Sequence, residues 1–156
     1  MPKDRFNVVY PLDKIFRMKV GAVVVKKMND VWYFAYFESL SRPLRGFQVV
    51  RGGVDAGEHI DAAILRELEE EYNRPVHLHG PLAVNYYKDS RNTDVQVYYL
   101  AEDTDAAHPD LEWTVVDGDE AAQTLVWRFA PLHEDLSFLS RGHADIVAHA
   151  RDRLLS

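Results

Sequence analysis

The chain has no cysteine, and that one absence removes disulfide staples, thiolate metal sites and thiol nucleophiles together. It also lacks any excess of positive charge. With 18 Lys and Arg against 25 Asp and Glu, the formal net charge is -7, the opposite of the basic surface that a general nucleic-acid binder presents. DNA is therefore not expected as a partner, and neither is a membrane. The opening MPKDRFNVVY is too charged and too short of apolar run for a secretory leader, which makes the cytoplasm the expected compartment. No repeat, low-complexity tract or linker interrupts the 156 residues. The expectation is one domain over 1–156, of a size that buries about 70% of its unfolded surface.

What is present is a run of strand-like segments around one central helix. Residues 19–27 read as a buried strand, paired with 31–37 across an Asn29-Asp30 turn, and 41–45 form a loop before a short strand at 47–51. A helix is expected over 59–72, with Glu58 near its start, where negative charge suits the helix dipole. Two strand-like runs, 76–87 and 93–101, flank the polar turn KDSRN, and an acidic, turn-rich stretch follows with a short strand at 113–116. A helix at 119–123, an apolar patch at 127–131 and a last helix at 141–155 complete the reading, the last carrying Ile146, Val147, Ala150 and Leu154 at helical spacing. Strands broken by a central helix and closed by a terminal one suit a mixed sheet between helices.

The central segment, GGVDAGEHIDAAILRELEEEYNR from Gly52 to Arg74, is the most informative in the chain. At about 100° per helical residue, Glu67, Glu70 and Glu71 fall within one arc of roughly 100°, while Ala62, Ile64, Leu65, Leu68 and Tyr72 gather on the other side. The expectation is that one face packs and the other ligates. Residues three and four apart on a helix are surface neighbours, so three unpartnered carboxylates this close repel one another until a cation joins them. Mg²⁺ and Mn²⁺ take hard oxygen ligands and are held by a few carboxylates together with a substrate's phosphates. Arg66, four before Glu70, is placed to pin a carboxylate by a charge-assisted hydrogen bond. Gly52, Gly53 and Gly57 allow a backbone to approach an anion closely.

These residues resemble the Nudix box, in which a Gly is followed after five residues by Glu and after seven more by Arg-Glu-aliphatic-x-Glu-Glu-x-Gly-aliphatic. Gly52, Glu58, Arg66, Glu67, Leu68, Glu70 and Glu71 match it, an agreement that chance would give at roughly one start position in 10⁸. Asn73 stands for the terminal Gly, and Asn is the next best residue for a left-handed cap. Arg74 stands for an aliphatic residue, with Val76 available to fill that space. The resemblance implies an α/β class fold, a Nudix-type α/β/α sandwich with a mixed sheet, and hydrolysis of a nucleoside diphosphate linked to another moiety. It implies Mg²⁺ or Mn²⁺ on Glu67, Glu70, Glu71 and the Gly52 carbonyl, with Arg66 in support and either Glu67 or Glu71 taking the proton of water. Gly57 and Glu58 shape the loop. Glu112 and Glu120 are candidates for a further carboxylate from a distant loop.

Substrate class is shaded by smaller features. FQVVRGG puts Arg51 where dinucleoside polyphosphate hydrolases and RNA 5′ pyrophosphohydrolases often carry Lys or Gln, so Arg51 is placed to meet a remote phosphate. TDVQVYYLAE and WRFAPLHEDLSFL are similar to segments of the diadenosine tetraphosphate group. Gly53, Lys88 and Arg91 are further candidate phosphate contacts, and Tyr87 is the aromatic candidate for stacking on a base, among Phe47, Tyr86, Tyr98 and Tyr99. His77 and His79 share a strand face without an evident third ligand. A dinucleoside polyphosphate such as diadenosine tetraphosphate is the favoured substrate. A nucleoside triphosphate pyrophosphohydrolase is the alternative enzyme, and a non-catalytic nucleotide-sugar sensor the alternative of another class. The 5′ end of RNA and a homodimer stay open as partners.

Overall fold

The computed structural model of the chain describes residues 15–88, 92–106, 110–118, 123–140 and 142–156. Its frame is a mixed sheet of seven strands: β1 (Ile15–Met28), β2 (Val31–Ser39), β3 (Val50–Gly53), β4 (His77–Lys88), β5 (Asn92–Glu102), β6 (Glu112–Asp117) and β7 (Gln123–Pro131). Helix α1 (Ile60–Glu67) runs on into a π-helical turn at Leu68–Tyr72, and α2 (His143–Leu155) ends the chain. Among the described residues no helix is long and apolar enough to cross a membrane.

β1 organises the sheet because both its faces are apolar. Val20, Ala22 and Val24 enter one core with Ala63, Ile64, Leu68 and Tyr72 from the helix side, whereas Val23 and Val25 enter a second with Ile146, Val147 and Ala150 of α2. Alternation of side chains along a strand thus builds two cores from one run, and α1 and α2 cover opposite faces. Each fully buried aliphatic side chain in them is worth about 1.5–3 kcal/mol. The strand order is β4-β5-β1-β2-β7-β6, with β5 parallel to β1 and the other pairings antiparallel. On its other edge β1 forks. Residues 25–28 pair with β2 across the Asn29-Asp30 turn, both of whose residues have positive φ as a tight hairpin requires, while residues 19–22 pair with β3.

Three expectations need correction. The short strand expected at 47–51 is instead β3 at Val50–Gly53, so that Gly52 and Gly53 lie inside it, opposite Val20 and Lys19. The segment 127–131 is not a loose apolar patch but part of β7, held between β2 and β6; the helix expected over 119–123 lies outside the described residues except for Gln123, which begins that strand. The packing face of the helix also differs from the arc drawn on an ideal α-helix. Ala62 and Leu65 are exposed, and the buried set is Ala63, Ile64, Glu67, Leu68 and Tyr72. Glu67 and Glu71 thus lie toward the sheet while Glu70 stays exposed, because the helix packs the same stripe that carries Glu67 against β3.

The exit of the helix accommodates both departures from the expected pattern. Asn73 adopts the left-handed conformation at φ 56° and its N–H donates to the Leu68 carbonyl. Arg74 is buried, with its guanidinium 3.7 Å from the Trp113 ring centroid and donating to the Asp110 carbonyl at 3.1 Å. Val76 packs against the core as the sequence led one to expect.

Candidate functional site

The site begins with the π turn. In it Glu70 points outward, its side chain 46% exposed, and Glu71 points inward, its Oε2 covered with no hydrogen-bond partner. Carbonyl groups at a helix end need outside donors. Here two indoles supply them: Trp127 Nε1–H donates to the Glu71 carbonyl at 2.7 Å and Trp113 Nε1–H to the Tyr72 carbonyl at 3.2 Å, the two rings stacked 5.8 Å apart. Tyr72 is anchored further by its hydroxyl, which donates to Asp103.

Opposite the glutamates stands Gly52. A methyl group at this position would overlap the Glu67 carboxylate, so only glycine lets the strand and the carboxylate meet. Burial raises the Glu67 carboxyl above its ordinary range against the pull of Arg66, and Glu70 and Asp117 push it the same way. Burial pushes Glu71 up to about 9, with Glu67, Asp117 and Glu70 adding to the rise and Arg51 opposing it. Without a cation the fold therefore disfavours ionising both carboxyls, and Glu71 keeps its proton at neutral pH.

Arg66 ties loop to helix. Its guanidinium donates to Glu58 at 2.9 and 3.0 Å, to the Gly53 carbonyl at 2.9 Å, to Glu67 at 2.9 Å and, more weakly, to Glu70 at 3.4 Å. Glu58 in turn accepts the Asp55 N–H at 3.1 Å, and Gly57 turns the loop at φ +76°. Among the described residues no three carboxylate or imidazole groups form a finished ion cage, and part of the Glu67 and Glu70 donor capacity is spent on Arg66.

On the other face of the sheet lies a cavity of about 650 Å³ whose lining includes Lys19, Arg51, Asn85, Tyr87, Gln96 and His143. Gly21 makes room for its floor, because a side chain there would strike the Tyr98 ring. Arg51 faces this cavity and bears on Glu71 electrostatically, so it joins the two faces past β3.

The sequence-expected residues divide accordingly. Gly52, Glu67, Glu70, Glu71, Arg66, Gly53, Gly57 and Glu58 converge on the box, and Arg51 and Tyr87 on the cavity. Lys88 ends β4 and, by alternation, points away from the face that Tyr87 shares. Arg91 and Glu120 lie outside the described residues. Glu112 is held by Arg128 at 3.2 Å, at the opposite end of β6 from Asp117. Asp117 was missed; a lone acid at a strand end carries no spacing signal. Asn85, Gln96 and His143 were missed too, although period-two alternation along β4 and β5 puts Asn85 with Tyr87 and Gln96 with Tyr98. His79 has a carboxylate neighbour after all, Glu102 at 2.9 Å.

Comparison with known proteins identifies the family and the fold. The model of the NUDIX domain matches residues 16–149. The chain belongs to the Nudix family, and it is a pyrophosphohydrolase of the kind that family defines, a class that generally uses divalent metal ions. It is similar to an RNA pyrophosphohydrolase of Rhodospirillum rubrum, 25% identical over an alignment 143 positions long that covers 78% of this chain and 84% of the relative. Among solved structures it resembles an Ap4A hydrolase of C. elegans in a binary complex (TM-score 0.68, 19% identity, 89% of this chain and 98% of that one). It also resembles the NUDIX domain of Shewanella oneidensis NrtR complexed with ADP ribose (TM-score 0.63, 20% identity, 90% of each chain).

Proposed function

We propose that the protein hydrolyses a phosphoanhydride bond of a dinucleoside polyphosphate, diadenosine tetraphosphate being the favoured member, with Mg²⁺ or Mn²⁺ held by Glu67, Glu70, Glu71 and the Gly52 carbonyl. The observation that carries the metal in this reading is the covered, unpartnered Glu71 Oε2 beside Glu67, and the one that favours a long polyphosphate is Arg51 between the glutamates and the cavity. A buried carboxylate oxygen without a donor costs stability that a hard cation recovers. The bare Gly52 backbone against the Glu67 carboxylate fits the same ion, since oxygen donors are brought together where a side chain would exclude them.

Once bound, the ion supplies charge neutralisation at the phosphate oxygens and an acidified water. The chain's own residues do the rest. Arg66 holds Glu67 and the Gly53 carbonyl in register, so that strand and helix stay a fixed distance apart. Glu67 or Glu71 accepts the proton of the attacking water. Arg51, between glutamates and cavity, is placed to hold a phosphate remote from the bond that breaks, and Tyr87 stands at the cavity rim. Gly53, Lys88 and Arg91 remain the further candidates for contact with a long substrate.

The test is a panel of diadenosine tetraphosphate, GTP, dGTP, ADP-ribose and 5′-triphosphorylated RNA with Mg²⁺, products resolved by chromatography. Fastest turnover of the tetraphosphate supports the reading, and faster turnover of another member replaces it. The 5′ end of RNA is the second reading, favoured by the likeness to the R. rubrum enzyme and opposed by the net charge of -7.

A further inference from the structure

The cavity behind Arg51 contains more than cations. Gln96 is buried, and its Oε1 accepts two hydrogen bonds, from Asn85 Nδ2 at 3.2 Å and from the Tyr98 hydroxyl at 3.1 Å. Both lone pairs of that oxygen are used. Turning the Gln96 carboxamide alone would set its amino group against the amino group of Asn85, and turning both together would exchange their roles and still leave one donor and one acceptor over. Two polar groups are then left over: the Gln96 amino group, a donor, and the Asn85 carbonyl oxygen, an acceptor. Neither has a hydrogen-bond partner among the described residues.

A third group is fixed by backbone. His143 is buried, and its Nδ1 accepts the Val49 N–H at 3.0 Å. An accepting Nδ1 carries no proton, so the proton of the neutral ring is on Nε2. Burial, aided by Arg51, lowers the imidazole to about 4, so the ring is neutral at neutral pH. The Nε2–H is a donor whose direction the fold has set. It too has no partner among the described residues, and His143 lines the same cavity.

We infer that this cavity seats a purine nucleobase of the substrate, read by the adjacent acceptor and donor of Asn85 and Gln96, with the His143 Nε2–H as a further fixed donor. The inference rests on the proposed hydrolysis of a nucleotide. A base edge that offers a donor beside an acceptor, such as the amino group and ring nitrogen of adenine, complements a carboxamide-type pair in two hydrogen bonds. Tyr87, half exposed at the rim, offers a ring to stack on, and the larger face of a purine gains more from stacking than a pyrimidine does. Asp94 sits in the same cavity but is already paired with Arg17 at 2.8 Å and Lys19 at 3.6 Å. The layout also fits in length. From β4 to β3 the sheet crosses three strand spacings of about 4.8 Å, which carries a base held at Asn85 toward Lys19 and Arg51 with its phosphates leading to Glu71.

Calorimetric titration of the full chain in Mg²⁺ with AMP, purine riboside 5′-monophosphate, which lacks the exocyclic amino group, and ribose 5-phosphate tests this without turnover. AMP is expected to bind about tenfold or more tighter than purine riboside 5′-monophosphate, the range of one good bidentate pair, and ribose 5-phosphate more weakly still. Asn85→Leu should bring the first ratio close to one, and Tyr87→Ala should weaken both nucleotides alike while keeping the ratio. Equal binding of AMP and ribose 5-phosphate, or an unchanged ratio in a folded Asn85→Leu, overturns the inference. The proposed reaction fails separately: no cleavage of diadenosine tetraphosphate with base selectivity intact removes that substrate alone, and cleavage without selectivity removes the base subsite alone.

Discussion

At the scale of single residues, Glu71 concentrates the account. Its carboxyl sits at 4.5 in the ordinary range and at about 9 in the fold. Between those values the unfolded chain binds fewer protons than the folded one, so the metal-free fold loses stability as pH rises from about 4.5 through about 9. Glu67 is shifted in the same direction. Melting of metal-free protein across that window should fall with pH, and Glu71→Gln, which keeps the shape without the charge, should flatten the fall and melt no lower at pH 7. The same variant should lower turnover a hundredfold or more, since losing one preorganised electrostatic group costs about 3 to 4 kcal/mol. Near-normal turnover would remove Glu71 from the site. The glutamates were legible in the sequence because their spacing is regular. Burial was not, because it depends on which stripe of the helix the strand β3 meets, and Asp117 reaches the glutamates only through the fold.

Among elements, the π turn matters most. The arc drawn from the sequence sets Glu67, Glu70 and Glu71 on one solvent face, whereas in the fold the turn carries an outward Glu70 beside an inward Glu71. Trp127 holds that turn by one indole hydrogen bond to the Glu71 carbonyl. Trp127→Phe keeps most of the apolar volume and loses the donor, leaving a carbonyl short of a partner. Chemical denaturation should show a loss of about 1–3 kcal/mol, and turnover should fall with it as Glu71 shifts; unchanged stability and turnover would show that the indole does not set the turn. Asn73, at φ 56°, should accept Gly with little change, while Asn73→Ala should cost on the order of 1 kcal/mol by thermal melting. Apolar, strand-like runs showed β1, β2, β4, β5 and β6 in the sequence. They did not show β7, whose residues become a strand through pairing with β2 and β6 from distant parts of the chain.

For the whole molecule, the decisive feature is the fork at β1, which leaves β3 between a buried acidic wall on one face and a polar cavity on the other. Arg51 connects them. If it holds a remote phosphate, Arg51→Ala should raise KM for diadenosine tetraphosphate more than for ADP-ribose, and steady-state kinetics showing equal effects would detach the cavity from the polyphosphate. The sequence could name Arg51 but not the cavity, since Asn85, Gln96 and His143 meet only when three separate elements pack. The claim on which the rest depends is that the acidic wall takes a divalent cation. Anomalous diffraction from crystals soaked in Mn²⁺ tests it most directly: the account predicts a manganese peak between Gly52, Glu67 and Glu71, and active crystals with no peak there would contradict it.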